Sequence, residues 1–160
     1  MVRNISLFGV MTALVVAISM MFIIPVPATN GFITLCDAGI YLAALLFGPV
    51  GGLSVGALSG GMIDLLSGYP QWIFFSVVIH GLQGWVAGIG YQKGRNSHLI
   101  GLLLGSIIMV VGYALATTLL YGIPAGLASI PTNSIQAGFG SVVAYFVAPM
   151  LKTRVIWKRG

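Results

Sequence analysis

The sequence predicts an all-α fold class, an integral membrane bundle of six transmembrane helices, and three observations predict it. Only 6% of the 160 residues are charged while 58% are hydrophobic, against about 25% charged in a soluble domain. Pro/Gly clusters cut the apolar sequence into pieces near the length of a membrane crossing. The seven basic residues fall into three short clusters: Arg3, then Lys93 and Arg95, then Lys152, Arg154, Lys158 and Arg159. Lys and Arg gather on the cytoplasmic side of membrane proteins. The clusters therefore predict a multi-pass membrane protein with both termini cytoplasmic.

Residues 1–160 leave no room for a second domain of useful size, so the chain reads as a single six-helix membrane domain. The net charge of +5 sits in segment ends and short loops. That suits membrane lipid headgroups or a cytoplasmic partner, not nucleic acid. The single cysteine, Cys36, excludes an internal disulfide and any multi-cysteine metal site.

The first span runs from Ile5 to Ile24 and is too long for a typical signal-peptide core, so it reads as a retained helix. Pro25 and Pro27 end it. A loop follows, with Asn30-Gly31 as its turn. Thr34 to Ser67 would measure about 51 Å as one straight helix, too long for a hydrocarbon core of about 30 Å. Gly48-Pro49-Val50-Gly51-Gly52 is a strong breaker, so the second helix is expected to end there and the third to begin near Pro49. Gly68-Tyr69-Pro70 turns the chain into a fourth span, Gln71 to Tyr91. Lys93 to Asn96 is a loop, Leu99 to Leu120 the fifth span, Tyr121 to Pro131 a loop, and Thr132 to Leu151 the sixth span. Six spans put all three basic clusters on one side, whereas five would divide them.

Asp37 and Asp64 are the only carboxylates, and an acid at membrane depth is costly. Asp37 stands where the second helix begins, and capping explains it. Asp64 stands near a helix C-terminus, where the dipole disfavours a negative charge. It reads either as a ligand or gating group or as a structural bond to the following loop or Tyr69. Trp72, Ser76, His80, Gln83 and Gly84 share one face of the fourth span, with Phe74, Val77, Val78, Leu82 and Val86 opposite. His80 and Gln83 together offer donors and acceptors to a small polar heterocycle. The competing reading of His80 is an interhelical bond. Tyr113, Thr117 and Tyr121 share a face of the fifth span, and Asn133 with Gln136 opens the sixth. These residues suit either a site or a membrane-interface belt and a helix cap. The expected substrate-binding set is Asp64, Trp72, His80, Gln83, Tyr113 and Asn133.

Gly52, Gly56 and Gly60 recur every four residues, as do Gly84 and Gly88, and Gly101 and Gly105, a spacing that lets helix backbones approach. Ala13 and Ala17 form a small-xxx-small pair that suits either internal packing or a partner. No phosphate loop, zinc pattern or nucleophile–base set is present. No enzyme activity, cofactor or metal is expected.

The segments from Asp37 to Gly52, from Asp64 to Trp72 and from His80 to Gly84 resemble the substrate-binding S components of energy-coupling factor (ECF) vitamin transporters. The likeness covers nearly the whole chain and is similar to the branch that takes up hydroxymethylpyrimidine or pyridoxine, related to the riboflavin branch. It implies capture of a small vitamin at the outer face, closure of the first and fifth-to-sixth loops, and toppling in the membrane. The implied partners are a shared transmembrane coupling subunit and two ATPase subunits, with Ala13 and Ala17 in the docking motif. The alternatives are an autonomous small-solute channel or secondary transporter, and a structural membrane subunit. A proton-coupled carrier needs its acid near the bilayer centre, and Asp64 is expected nearer the outer end.

Overall fold

The computed structural model describes residues 2–92 and 95–154, with side chains over 5–90 and 97–151. The basic side chains on which the topology argument rested, at Arg3, Lys93, Arg95, Lys152, Arg154, Lys158 and Arg159, lie outside the described side chains. Five helical elements carry the fold: α1 (Val2–Met21), α2 (Cys36–Ser67), α3 (Ile73–Gln92), α4 (Arg95–Tyr121) and α5 (Ile123–Arg154). A small hairpin of β1 (Ile24–Val26) and β2 (Gly31–Ile33) joins α1 to α2.

The expectation of six spanning helices is corrected. Among the described residues, four helices are long and apolar enough to cross a membrane: Cys36–Ser67, Pro70–Gly90, Ser97–Tyr121 and Ile123–Leu151. Ile5–Met21 is a shorter apolar helix. The count fails at the expected first span, which is the shorter helix Ile5–Met21, and at the expected second. Residues 36–47 are only the first arm of α2, about 18 Å long at the helical rise, well short of a core of about 30 Å. The arm ends at Gly48, whose φ of 78° and ψ of −165° are non-helical and favour glycine. It then packs back on the 49–67 arm. Cys36 Sγ lies 3.5 Å from Ser59 Oγ, and a Cβ placed on Gly56 would meet Ile40 at 3.3 Å.

Two expected loops also differ. Residues 24–33 pair as an antiparallel hairpin in the register Ile24↔Ile33 and Val26↔Gly31. Its 3₁₀ turn, Pro27–Thr29, ends on Asn30 in the left-handed region. The 121–131 stretch is a loop only at Gly122, where φ is 91°. Helix α5 starts at Ile123 and accommodates Pro131.

Helix α2 packs most extensively on α3, α3 on α4, α4 on α5, and α5 returns to α2; α1 lies against α2. The α2–α3 seam is built from glycine. A Cβ on Gly52 would strike the carbonyl of Gly84, one on Gly84 the carbonyl of Gly52, and one on Gly56 the carbonyl of His80. This is the close backbone approach that small residues at four-residue spacing permit. Outward-facing Leu103, Leu119 and Phe146 are well exposed, as suits helices in contact with lipid.

Candidate functional site

The glycine seam sets one wall of the site. Because Gly60 has no side chain, the His80 ring fits beside α2; a Cβ there would lie 2.7 Å from His80 Cδ2. The α3 stripe is buried at Trp72, Ser76, His80 and Gln83, while Phe74, Val77, Val78 and Leu82 are exposed. The face predicted from the three-and-four spacing is therefore the inward one.

Asp64 ends up on the same side. Gly68 closes α2 in a left-handed turn, and the Tyr69 N–H donates to the main-chain oxygen of Asp64 at 2.9 Å, a common helix-ending arrangement. That bond uses the backbone. The side chain is 5% exposed, and its Oδ2 is buried with no hydrogen-bond partner among the described residues.

A cavity of about 50 Å³ brings together Asp64, Trp72, His80, Tyr113 and Asn133, five of the six residues singled out from sequence. Gln83 stands behind the wall, fully buried, bonded to His80 Nδ1 at 2.7 Å and donating through Nε2 to Asp37 Oδ1. Residues the sequence reasoning had not placed in the binding set complete the lining: Thr34, Cys36, Ser76, Met109, Thr117 and Gln136 among them. Gln136 carried a usable signal, being one turn from Asn133 on the same face. Thr34 carried none, since it approaches only through the hairpin.

The capping role expected for Asp37 is corrected. The residue lies in the first turn of α2, whose N-terminus has no side-chain cap from its N-cap residue, Leu35. The carboxylate points into the bundle and accepts from two amides, Gln83 Nε2 on α3 and Gln136 Nε2 on α5. The Cys36 N–H is served by Thr34 Oγ1 at 3.2 Å.

The hairpin roofs the cavity. Trp72 Nε1 donates to Asn30 O at 3.1 Å, and its ring packs on Tyr113 and Tyr121 with centroids 5.8 and 6.0 Å apart. Phe32 meets Tyr69 edge-on at 5.0 Å, and the Thr34 N–H donates to Gln136 Oε1 at 2.8 Å. Ala13 and Ala17 lie elsewhere, on the exposed face of α1 with Gly9 and Leu14.

A small polar cavity under a roof, inside an apolar helical bundle, defines a membrane subunit that binds a small solute. Among the described residues no cluster of His, Cys, Asp or Glu is suited to hold a metal. The chain belongs to the S components of ECF-type transporters: residues 1–153 match the family described as "ECF-type riboflavin transporter, S component". It is a transport subunit of a multi-pass membrane type, binding a small vitamin or precursor, and not an enzyme. It is 33% identical over 152 residues to the thiamine precursor transporter HmpT of Lactococcus lactis subsp. cremoris, covering 94% of this chain and 89% of that protein. It is 34% identical over 140 residues to an uncharacterised protein of Pyrococcus woesei, covering 86% and 93% respectively. A solved S component of a bacterial ECF transporter shares the fold, with a TM-score of 0.74 at 21% identity over 96% of this chain and 98% of that one. Membership in the family implies coupling to a transmembrane subunit and ATPase subunits.

Proposed function

We propose that the cavity captures a small heterocycle of the hydroxymethylpyrimidine or pyridoxine kind from outside the cell. Asp64, Trp72, His80, Tyr113 and Asn133 form its walls, and Gln83 supports His80 from behind. The observation that carries this reading is Asp64: the residue lines the cavity, and its buried Oδ2 has no hydrogen-bond partner among the described residues. A buried carboxylate oxygen without a donor is unfavourable, and a ligand N–H or O–H supplies the missing bond. The likeness to a thiamine precursor transporter points to the same chemistry.

The family description favours riboflavin instead. A cavity of about 50 Å³ is well below the roughly 300–1,000 Å³ of pockets for drug-sized molecules, and a single-ring ligand suits it better than a three-ring flavin. Mass spectrometry of ligand co-purified with the protein, followed by calorimetric titration with hydroxymethylpyrimidine, pyridoxine and riboflavin, tests the choice. Tight binding of riboflavin with none of the other two would sink the single-ring reading. Asp64→Asn is expected to weaken binding of the preferred compound by about 10- to 100-fold.

For the partner, Ala13 and Ala17 form a small, exposed patch on α1 on which the transmembrane coupling subunit docks, while the ATPase subunits power release. Replacing both alanines by leucine is expected to abolish uptake by the assembled transporter and leave ligand affinity within about twofold. Loss of binding by the isolated subunit would contradict a docking role.

A further inference from the structure

Asp64 faces the cavity, but the second buried acid does not line it. Asp37 is 1% exposed, and each of its oxygens accepts from a glutamine on a different helix, Gln83 and Gln136. A carboxylate only accepts hydrogen bonds. Both amides are therefore turned the same way, NH₂ toward Asp37 and carbonyl away from it. On α5 the Gln136 carbonyl takes the Thr34 N–H at 2.8 Å. On α3 the Gln83 carbonyl faces His80 Nδ1 at 2.7 Å. An acceptor at that distance calls for the proton on Nδ1, which leaves Nε2 of the neutral ring as an acceptor. The Tyr113 hydroxyl lies 3.0 Å from Nε2 and gives it its only proton. With a neutral ring, Ser76 Oγ, 2.6 Å from the Tyr113 oxygen, then gives its one proton to Tyr113 rather than to Asp64, which it also neighbours.

We propose that Asp37 is a positioning residue for ligand recognition. Acting through Gln83 and His80, it commits the Tyr113 proton to His80, so that Tyr113 and Asp64 face the cavity as acceptors only. The site then admits heterocycles that present N–H or O–H donors and rejects those of equal shape whose donors are methylated. This rests on the cavity being the ligand site. The ordering of the protons does not, and it is read without ligand.

The experiment uses the full chain in micelles, labelled with ¹⁵N-histidine, in buffer of about pH 8.5. The chain has two histidines, and His98→Gln identifies the His80 signals. The ligand-free protein is expected to show His80 as the neutral Nδ1–H tautomer. Asp37→Asn sets two amides against each other, frees Gln83 to turn, and is expected to move His80 to the Nε2–H form. In the double variant Asp37→Asn with Gln83→Glu, the new carboxylate accepts from both Asn and His80 and restores Nδ1–H. Calorimetry with hydroxymethylpyrimidine is expected to follow the tautomer, about tenfold weaker in Asp37→Asn and within about threefold of the native protein in the double variant. An Nε2–H or doubly protonated ring in the native protein, or an unchanged Nδ1–H signature in Asp37→Asn, overturns the proposal. If Asp37→Asn fails to fold, the native spectrum and the double variant still decide it. The native tautomer pattern combined with no binding of hydroxymethylpyrimidine, pyridoxine or riboflavin would instead remove the cavity reading, and the recognition role with it.

Discussion

The α2–α3 seam and the α4–α5 interface are built on opposite plans. At the seam, Gly52 and Gly84 bring two backbones so close that neither position has room for a methyl group. Between α4 and α5 the helices leave an open lateral groove of about 530 Å³, lined by Leu103, Ile107, Val142 and Phe146. Ser106 and Ser141 line it 3.0 Å apart, and Ser106 also bonds at 2.8 Å to the fully buried Tyr41. The cavity draws on both. Asp64, Ser76 and His80 come from the glycine seam, while Tyr113, Asn133 and Gln136 come from the grooved pair. One wall is fixed by repeated backbone contact; the other also meets backbone closely at Gly126, where an added Cβ would lie 2.8 Å from the Ala114 oxygen, but elsewhere opens into the groove.

The same substitution placed on the two plans breaks or sharpens this contrast. Gly84→Ala is expected to give the largest effect, destabilising the bundle by about 3 kcal/mol through overpacking and lowering its Tm in micelles. A native-like Tm would mean that the seam is not rigid. Trp72→Phe is expected to come next. It removes the Nε1–H bond to Asn30 that pins the roof, worth about 1 kcal/mol, and should raise the ligand off-rate by about fivefold in stopped-flow measurements. Gly138→Ala is the smallest and has the opposite sign. A Cβ there meets nothing within 4 Å, so the gain is the helix preference of alanine, about 0.5–1 kcal/mol, seen as a slightly higher Tm.

The contrast also marks what the sequence made legible. Glycines at four-residue spacing and the polar stripe of α3 are periodic signals, and they identified the rigid wall, including His80 and the inward face. Gly48-Pro49 identified the break in α2, because positive φ and the missing proline N–H are local properties. The number of crossings was not local. An apolar arm about 18 Å long has the composition of a full span, and only its packing against residues 49–67 distinguishes the two. Asp37 was misread for a related reason: its position at a helix start suited a cap, whereas its partners, Gln83 and Gln136, are 46 and 99 residues away. The 121–131 stretch was read as loop from its Pro and Gly content, yet α5 begins at Ile123 because Gly122 alone makes the turn.

The 99-residue separation between Asp37 and Gln136 also imposes a schedule on biogenesis. At about 5–20 residues per second, ribosomal synthesis delivers Gln136 about 5–20 s after Asp37. Throughout that interval the nascent chain carries an incompletely paired carboxylate at a place destined to be fully enclosed. The site is therefore among the last parts of the molecule to be completed, and a chain stopped before α5 would leave one oxygen of Asp37 without its glutamine.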